Sequence, residues 1–124
     1  MENKKDLNQN LSHYQFSPES QYLDRKSARK KPQELLKHLI AFANADGGQL
    51  VIGIEDEKQD NIITGFKDGK SYPIDDFKKI DREMRETPLD LSFEEIPVVN
   101  HKGAADLILV ISVELSSNRG IAAP

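Results

Sequence analysis

The sequence contains no cysteine, and this absence excludes disulfides, thiolate metal sites and cysteine nucleophiles. It has no apolar run near the length of about 18 residues that crosses a bilayer, and its polar N-terminus lacks the apolar core of a signal peptide. Aromatic residues make up only 6% of the chain, so few rings could stack on unpaired bases. We therefore expect a soluble, cytoplasmic protein without a membrane partner that does not read single strands base by base.

The chain also lacks the basic surplus that is typical of nucleic-acid-binding proteins, since its formal net charge is −4. The distribution of charge is more informative than the sum. Five of the 17 Lys and Arg residues lie between positions 25 and 31 with no acid among them, whereas the rest of the chain has 12 bases against 21 acids. This basic segment precedes a predicted helix, and it is either a solvated surface with no partner or a patch that holds phosphates. The predicted nucleic-acid-binding residues are Arg25, Lys26, Arg29, Lys30 and Lys31.

A length of 124 residues suits one domain with a single hydrophobic core. Residues 1–15 are polar and show neither helical nor strand periodicity, so we expect them to form a mobile tail. The apolar pattern that follows predicts, in order, a short strand at 21–26, a helix at 32–46, strands at 50–54 and 62–66, a helix at 73–85, and strands at 93–99 and 106–115. This order predicts the α+β class, with a two-layer mixed β-sheet and two main helices.

Three features of this pattern make predictions about burial. The apolar residues of the first helix fall on one arc of about 160°, which predicts that Leu39 and Ile40 are buried. The unbroken apolar run from Leu50 to Ile54 is typical of a central strand that is covered on both faces. Pro97 cannot donate a hydrogen bond to a neighbouring strand, so the strand at 93–99 is predicted to lie at an edge or to contain a bulge.

Residues 41–56 carry the most specific pattern, Ala-Phe-Ala-Asn-Ala-Asp-Gly-Gly-Gln-Leu-Val-Ile-Gly-Ile-Glu-Asp. The block resembles the AlbA_2 domain family, which occurs in Schlafen proteins and in many bacterial predicted transcriptional regulators. That family also has a Glu and a Glu-hydrophobic-Lys strand before the helix, and Glu19, Asp24 and Lys26 stand at those positions. The resemblance covers about residues 18–116 and implies an AlbA_2-like domain at 16–118. Family members usually continue beyond this point, so the tail at 119–124 leaves open a longer chain with further domains.

The turn between the first helix and the central strand has a structural and a functional interpretation. Asn, Asp and Gly tolerate left-handed backbone, so Asn44, Gly47 and Gly48 let the chain leave the helix abruptly, and Asn44 could instead face a ligand. Gly53 indicates a bulge or a close backbone approach. We also expect Asp56, at the end of the strand, to lie near Asn44 at one mouth of the sheet.

The resemblance to Schlafen core domains, some of which cut RNA with three carboxylates, also implies a catalytic and metal-binding trio at Glu19, Asp24 and Asp56. Three carboxylates around Mg²⁺ or Mn²⁺ would suit phosphodiester hydrolysis. A surface role is the alternative in a chain with 21 acids. The chain departs from the family pattern, because Asp24 replaces the commoner Glu, Arg25 replaces an apolar residue, and the turn after Asp56 has no glycine. The three histidines, His13, His38 and His101, show no ligand spacing and are interpreted as surface residues.

Three functions from different classes follow from these observations. The first is a non-catalytic, regulatory nucleic-acid-binding module that needs no cofactor and takes DNA more readily than RNA, as descriptions of the family imply. The second is a metal-dependent endoribonuclease with Mg²⁺ or Mn²⁺, or an inactive relative of one. The third is a protein-interaction or homo-oligomerisation domain of a larger regulator.

Overall fold

A computed structural model describes residues 11–80 and 89–114 of the chain. The helices are α1 (residues 11–16), α2 (Leu36–Asn44) and α3 (Ile74–Lys78), with short 3₁₀ turns at Pro32–Leu35 and Glu57–Gln59. The strands are β1 (Leu23–Lys26), β2 (Gly48–Ile52), β3 (Asp90–Val99) and β4 (Ala105–Glu114). They form one sheet in the order β1-β2-β4-β3, in which β1 and β2 are parallel and the other two pairs are antiparallel. The predicted α+β class with a mixed sheet is confirmed.

The predicted first helix is present, and its opening turn is 3₁₀ rather than α. Leu39 is fully buried as predicted, whereas Ile40 is only half-buried. The residues of this helix that are fully buried span an arc of only about 100° on a helical wheel, and Ile40 lies outside it. The helix ends where Gly47 takes the left-handed φ of 88° and donates its N–H to the carbonyl of Phe42.

β2 is the central strand that its apolar run predicts, because successive side chains point to opposite faces of the sheet and both faces are covered. Leu50 and Ile52 pack on the side of α2 and α3. Val51 packs on the other face, where Tyr14 of α1 is 8% exposed. Residues 11–15 were expected in a mobile tail, but the structure places them in α1 because this second face needs a cover. Residues 1–10 and the tail at 119–124 lie outside the described residues.

The returning strand predicted at 62–66 is wrong, since only a single antiparallel bridge between Ile54 and Ile63 forms there. Pairing stops because Gly53 has the left-handed φ of 107° and its carbonyl accepts hydrogen bonds from the N–H groups of Thr64 and Gly65. The connection between the two predicted strands contains the second 3₁₀ turn, Glu57–Gln59, and the side chain of Asp56 caps it.

The remaining predictions concern the C-terminal half. α3 occupies the start of the helix predicted at 73–85; Phe77 in α3 and Ile80 just after it are buried, and residues 81–88 lie outside the described residues. β3 is an edge strand, as Pro97 predicted, and it begins three residues earlier than expected. Within residues 11–80 and 89–114, no helix combines the length and apolarity that crossing a membrane requires.

Candidate nucleic-acid interface

The fold places the five residues of the basic segment in different environments, and Arg25 is the extreme case. Its side chain is 1% exposed, its Nε donates a hydrogen bond of 2.6 Å to the carbonyl oxygen of Tyr14, and its terminal nitrogen donates to the carbonyl of Ser17. The predicted role of Arg25 in phosphate binding is therefore wrong. Strand alternation is the cause, since Leu23 and Arg25 of β1 point to the α1 side of the sheet.

Arg29 is exposed but already has an anionic partner. Its guanidinium donates through Nε to Asp68 Oδ2 at 2.7 Å and makes a second contact with the same carboxylate oxygen. The hydrogen bond from Arg29 holds the pKa of Asp68 below its ordinary value, and the same contact raises the pKa of Arg29. Asp68 therefore neutralises the charge of Arg29 in the free protein.

The three lysines of the basic segment remain accessible to solvent. A fourth lysine, which the sequence did not predict, lies beside them. Lys30 and Lys31 are exposed, and Lys26 is partly exposed at the end of β1. Lys37 of α2 joins Lys26 and Lys30 around a pocket of about 220 Å³, which we call the basic pocket. Its remaining lining residues are Glu34, Leu35 and His38. Lys37 was missed because it stands alone on the polar side of a helix, outside the basic segment.

A second cleft of about 310 Å³ lies beside the basic pocket, and we call it the acidic cleft. Its two carboxylates, Glu19 and Asp24, both accept from the backbone N–H of Arg25, at 3.3 Å and 2.8 Å. Burial, together with a hydrogen bond to Asp24, raises the pKa of Glu19. The rest of the wall is mostly apolar, with Leu23, Ala41 and Phe42 among its members. Glu19 therefore keeps its proton to higher pH than an isolated glutamate would.

His38 lies between the two clefts and lines both of them. Its Nδ1 is 3.5 Å from Asp24 Oδ2, and Lys26 Nζ lies 3.6 Å from the same oxygen. Burial, followed by the charge of Lys26, lowers the pKa of His38. His38 was interpreted as a surface residue; its side chain is 29% exposed, and its charged neighbours were not predicted from the sequence. A signal was present in the sequence, because Glu34 of the 3₁₀ turn and His38 and Ala41 of α2 recur at helical spacing along one flank.

The three predicted carboxylates do not assemble into a metal site. Asp56 is exposed and accepts a hydrogen bond of 3.0 Å from the N–H of Lys58 as the cap of its turn. The acid that reaches Glu19 is Glu57, whose Oε1 accepts from the Glu19 N–H at 3.4 Å. In the described part of the chain, no group of three or more His, Asp or Glu side chains is arranged to hold a metal ion. The residues present therefore do not fit the Mg²⁺ or Mn²⁺ site that the trio implied.

The expected proximity of Asp56 to Asn44 is also wrong. Asn44 precedes the start of β2, beside the end of β4 at Val113, whereas Asp56 follows the far end of β2. A five-residue strand separates the two ends by roughly 13 Å. Asn44 and Asp56 therefore lie towards opposite ends of β2.

The glycines of the predicted loop have structural roles. A Cβ at Gly47 would lie 2.7 Å from the carbonyl oxygen of Val113, and one at Gly48 would lie 2.3 Å from the ring of Phe42. Gly53 combines its left-handed φ with a Cβ position only 3.2 Å from Ile108. Asn44 is exposed at the end of α2. The close packing of α2, β2 and β4 therefore explains why residues without a Cβ occupy these three glycine positions.

The fold and site together define a small α+β domain with a parallel edge strand, β1. The side chain of Arg25 in this strand is buried. On the surface beside the strand, the acidic cleft lies next to the basic pocket. A family model described as Schlafen, AlbA_2 matches residues 19–122, which is most of the chain. The protein therefore belongs to the Schlafen AlbA_2 family, as its sequence pattern indicated. Comparison with curated proteins gives no match.

Proposed function

We propose that this domain binds nucleic acid through the backbone phosphates, using the lysines around the end of β1 and the start of α2. Membership of the AlbA_2 family supports a role related to nucleic acid. The observation that carries the proposal is that Lys26, Lys30 and Lys37 line one pocket. Lys31, next to Lys30, is exposed as well. This concentration of lysines stands out because the whole chain has a net negative charge. Lysine ammonium groups bind phosphate as compact point charges, so this surface suits a backbone more than base edges.

We further propose duplex DNA as the preferred partner and a regulatory role, in line with the bacterial regulators that the sequence pattern resembles. Phe16 and Tyr22 are the large exposed aromatic residues in the described part of the chain. Two such rings on different elements give little platform for stacking consecutive bases. Discrimination among target sequences would then come from elsewhere in a larger assembly.

The test is a binding titration with labelled duplex DNA, single-stranded DNA and structured RNA over a range of salt concentrations, with and without Mg²⁺ or Mn²⁺. Each lysine–phosphate contact on a duplex should contribute about 0.9 to the slope of log affinity against log salt. Replacing Lys30 and Lys31 by Ala should flatten that slope by up to about two and weaken binding equally on all sequences. Lys102→Ala, in the turn between β3 and β4, is the control. Absent or salt-independent binding would contradict the proposal and favour a protein-interaction domain.

A second candidate function, an endoribonuclease or an inactive relative, is favoured by one observation. Glu19 and Asp24 share the amide of Arg25 in one cleft beside the basic pocket, so a bound phosphate would lie close to both carboxylates. RNA cleavage should be measured with Mg²⁺, Mn²⁺ or a chelator present. Under the nuclease hypothesis Glu19→Gln abolishes cleavage, whereas under the binding proposal the same change leaves affinity unchanged or improves it.

A further inference from the structure

We propose that the basic pocket is a discrete binding site for a single phosphate group, formed by Lys26, Lys30 and Lys37. Lys37 completes this site, because it adds a lysine from α2 to the lysines of the basic segment. This inference rests on the proposed function and specifies where in the surface the anion sits. The three lysines come from three different elements, namely the end of β1, the loop after it, and α2.

The basic pocket brings like charges together. Three lysines line one pocket, where their like charges repel each other, and the fold brings these residues together without an equal number of acids. Glu34 is the carboxylate that lines the pocket, and Asp24 forms an ion pair of 3.6 Å with Lys26 at its border, so three lysines face two carboxylates. The pocket is therefore positive in the free protein, and an anion bound there would relieve the repulsion.

The electrostatic environment of His38 supports the same conclusion. After burial, the charges of Lys26 and Lys37 both lower the pKa of this imidazole, with Asp24 acting in the opposite direction. His38 thus experiences a positive potential from two of the three lysines proposed to bind phosphate. The negative charge of a bound phosphate would oppose that potential at the imidazole.

The size of the pocket indicates what kind of anion it takes. Its volume of about 220 Å³ is below the range of roughly 300–1,000 Å³ that is usual for sites of whole small molecules. One phosphate group with three ammonium donors around it suits such a volume better than a complete nucleotide. The phosphate could belong to the backbone of a nucleic acid or to a 5′-terminal phosphomonoester, since both present the same oxygens.

The decisive experiment compares wild type, Lys37→Ala and Lys102→Ala for binding to one duplex prepared with and without 5′-phosphates. Amide chemical shifts are recorded for the same proteins with inorganic phosphate. Lys37→Ala should weaken duplex binding about 3- to 10-fold at low salt, lower the salt slope by about 0.9 and remove the phosphate-induced shifts around the pocket, whereas Lys102→Ala changes none of these. Lys37→Arg should restore most of the binding.

The arms of the experiment separate the two sources of phosphate and the two hypotheses. A gain from the 5′-phosphate that disappears in Lys37→Ala identifies the terminal group, and an equal loss on both duplexes identifies the backbone. If Lys37→Ala behaves like Lys102→Ala in every assay while duplex binding persists, the pocket is refuted and the proposed function stands. If no nucleic acid binds but inorganic phosphate gives Lys37-dependent shifts, the proposed function fails and the pocket remains.

Discussion

Arg25 Nε donates a hydrogen bond of 2.6 Å to the backbone carbonyl oxygen of Tyr14, and this contact attaches α1 to the face of the sheet opposite α2. The most basic stretch of the chain therefore begins with a residue that stabilises the fold. The contact also explains why an arginine stands at a strand position where the family usually has an apolar side chain. The buried guanidinium also donates a hydrogen bond to the carbonyl of Ser17, the residue after α1. It therefore fixes the C-terminal end of α1 to the sheet.

Arg25→Ala should lower the free energy of unfolding by about 2 to 4 kcal/mol, because it leaves the buried carbonyl of Tyr14 and the partly buried carbonyl of Ser17 without their charged donor. Arg29→Ala is the matched control, and because it removes only an exposed ion pair it should leave the free energy of unfolding nearly unchanged. Urea unfolding followed by circular dichroism measures both. A loss below about 1 kcal/mol for Arg25→Ala would mean that α1 is not anchored by this side chain.

Asp68→Asn should increase affinity for nucleic acid, because it releases the guanidinium of Arg29 from its carboxylate partner. One additional phosphate contact should steepen the salt slope on duplex DNA by about 0.9. The double variant Arg29→Ala/Asp68→Asn tests the cause, since it should lose the gain while Arg29→Ala has little effect in the wild-type background. An equal gain in the double variant would show that Asp68 acts by general repulsion and not through Arg29.

Affinity for nucleic acid should increase as the pH falls through the pKa of His38, which lies below the ordinary value of about 6.5. Protonation adds a positive charge at the wall between the basic pocket and the acidic cleft. The charged groups around this imidazole are Asp24, Lys26 and Lys37, and the two clefts that it lines also contain Glu19, Lys30 and Glu34.

The measurement is affinity for one duplex at fixed ionic strength between about pH 5 and pH 8. His38→Gln should remove the histidine part of the pH dependence, and His101→Gln should leave it intact. Glu19→Gln is needed as well, because the raised pKa of Glu19 makes its protonation act in the same direction. Unchanged pH dependence in His38→Gln, together with its loss in Glu19→Gln, would assign the effect to Glu19.

Asp106 should make the stability of the domain depend on acid. Burial by itself raises the pKa of this carboxyl, but hydrogen bonds from Asn100 and from the backbone amides of Phe66, Leu107 and Lys67 outweigh burial and hold the pKa below its ordinary value. A depressed folded-state pKa contributes stability that is fully present above the unfolded-state pKa. That stability is lost as the pH falls through the folded-state value.

Unfolding by urea at a series of pH values between about 7 and 2 measures this contribution. Asp106→Asn should lower the free energy of unfolding at pH 7 by about 1 to 3 kcal/mol, and it should weaken the decline of stability in acid. Asp75→Asn, at an exposed position in the first turn of α3, is the control. A variant at Asp106 with the same acid dependence as wild type would contradict the assignment.

The sequence by itself determined the class of the fold, the central position of β2 and the edge position of β3. These properties follow from local causes, because a continuous apolar run needs cover on both faces and a proline cannot pair on both sides. It also determined the family through the block at residues 41–56, in which Gly47 and Gly48 are fixed by the close approach of α2 and β4.

The tertiary structure alone decided which charged residues act together. Arg25 and Lys26 are neighbours in sequence, but strand alternation buries one and leaves the other on the surface. Lys37 and His38 reach the interface because α2 packs beside β1, an arrangement of distant segments that no local pattern specifies. A sequence does not specify which way a charged side chain points. Only the packing of helices and strands decides whether that side chain contacts a carbonyl, a carboxylate or solvent.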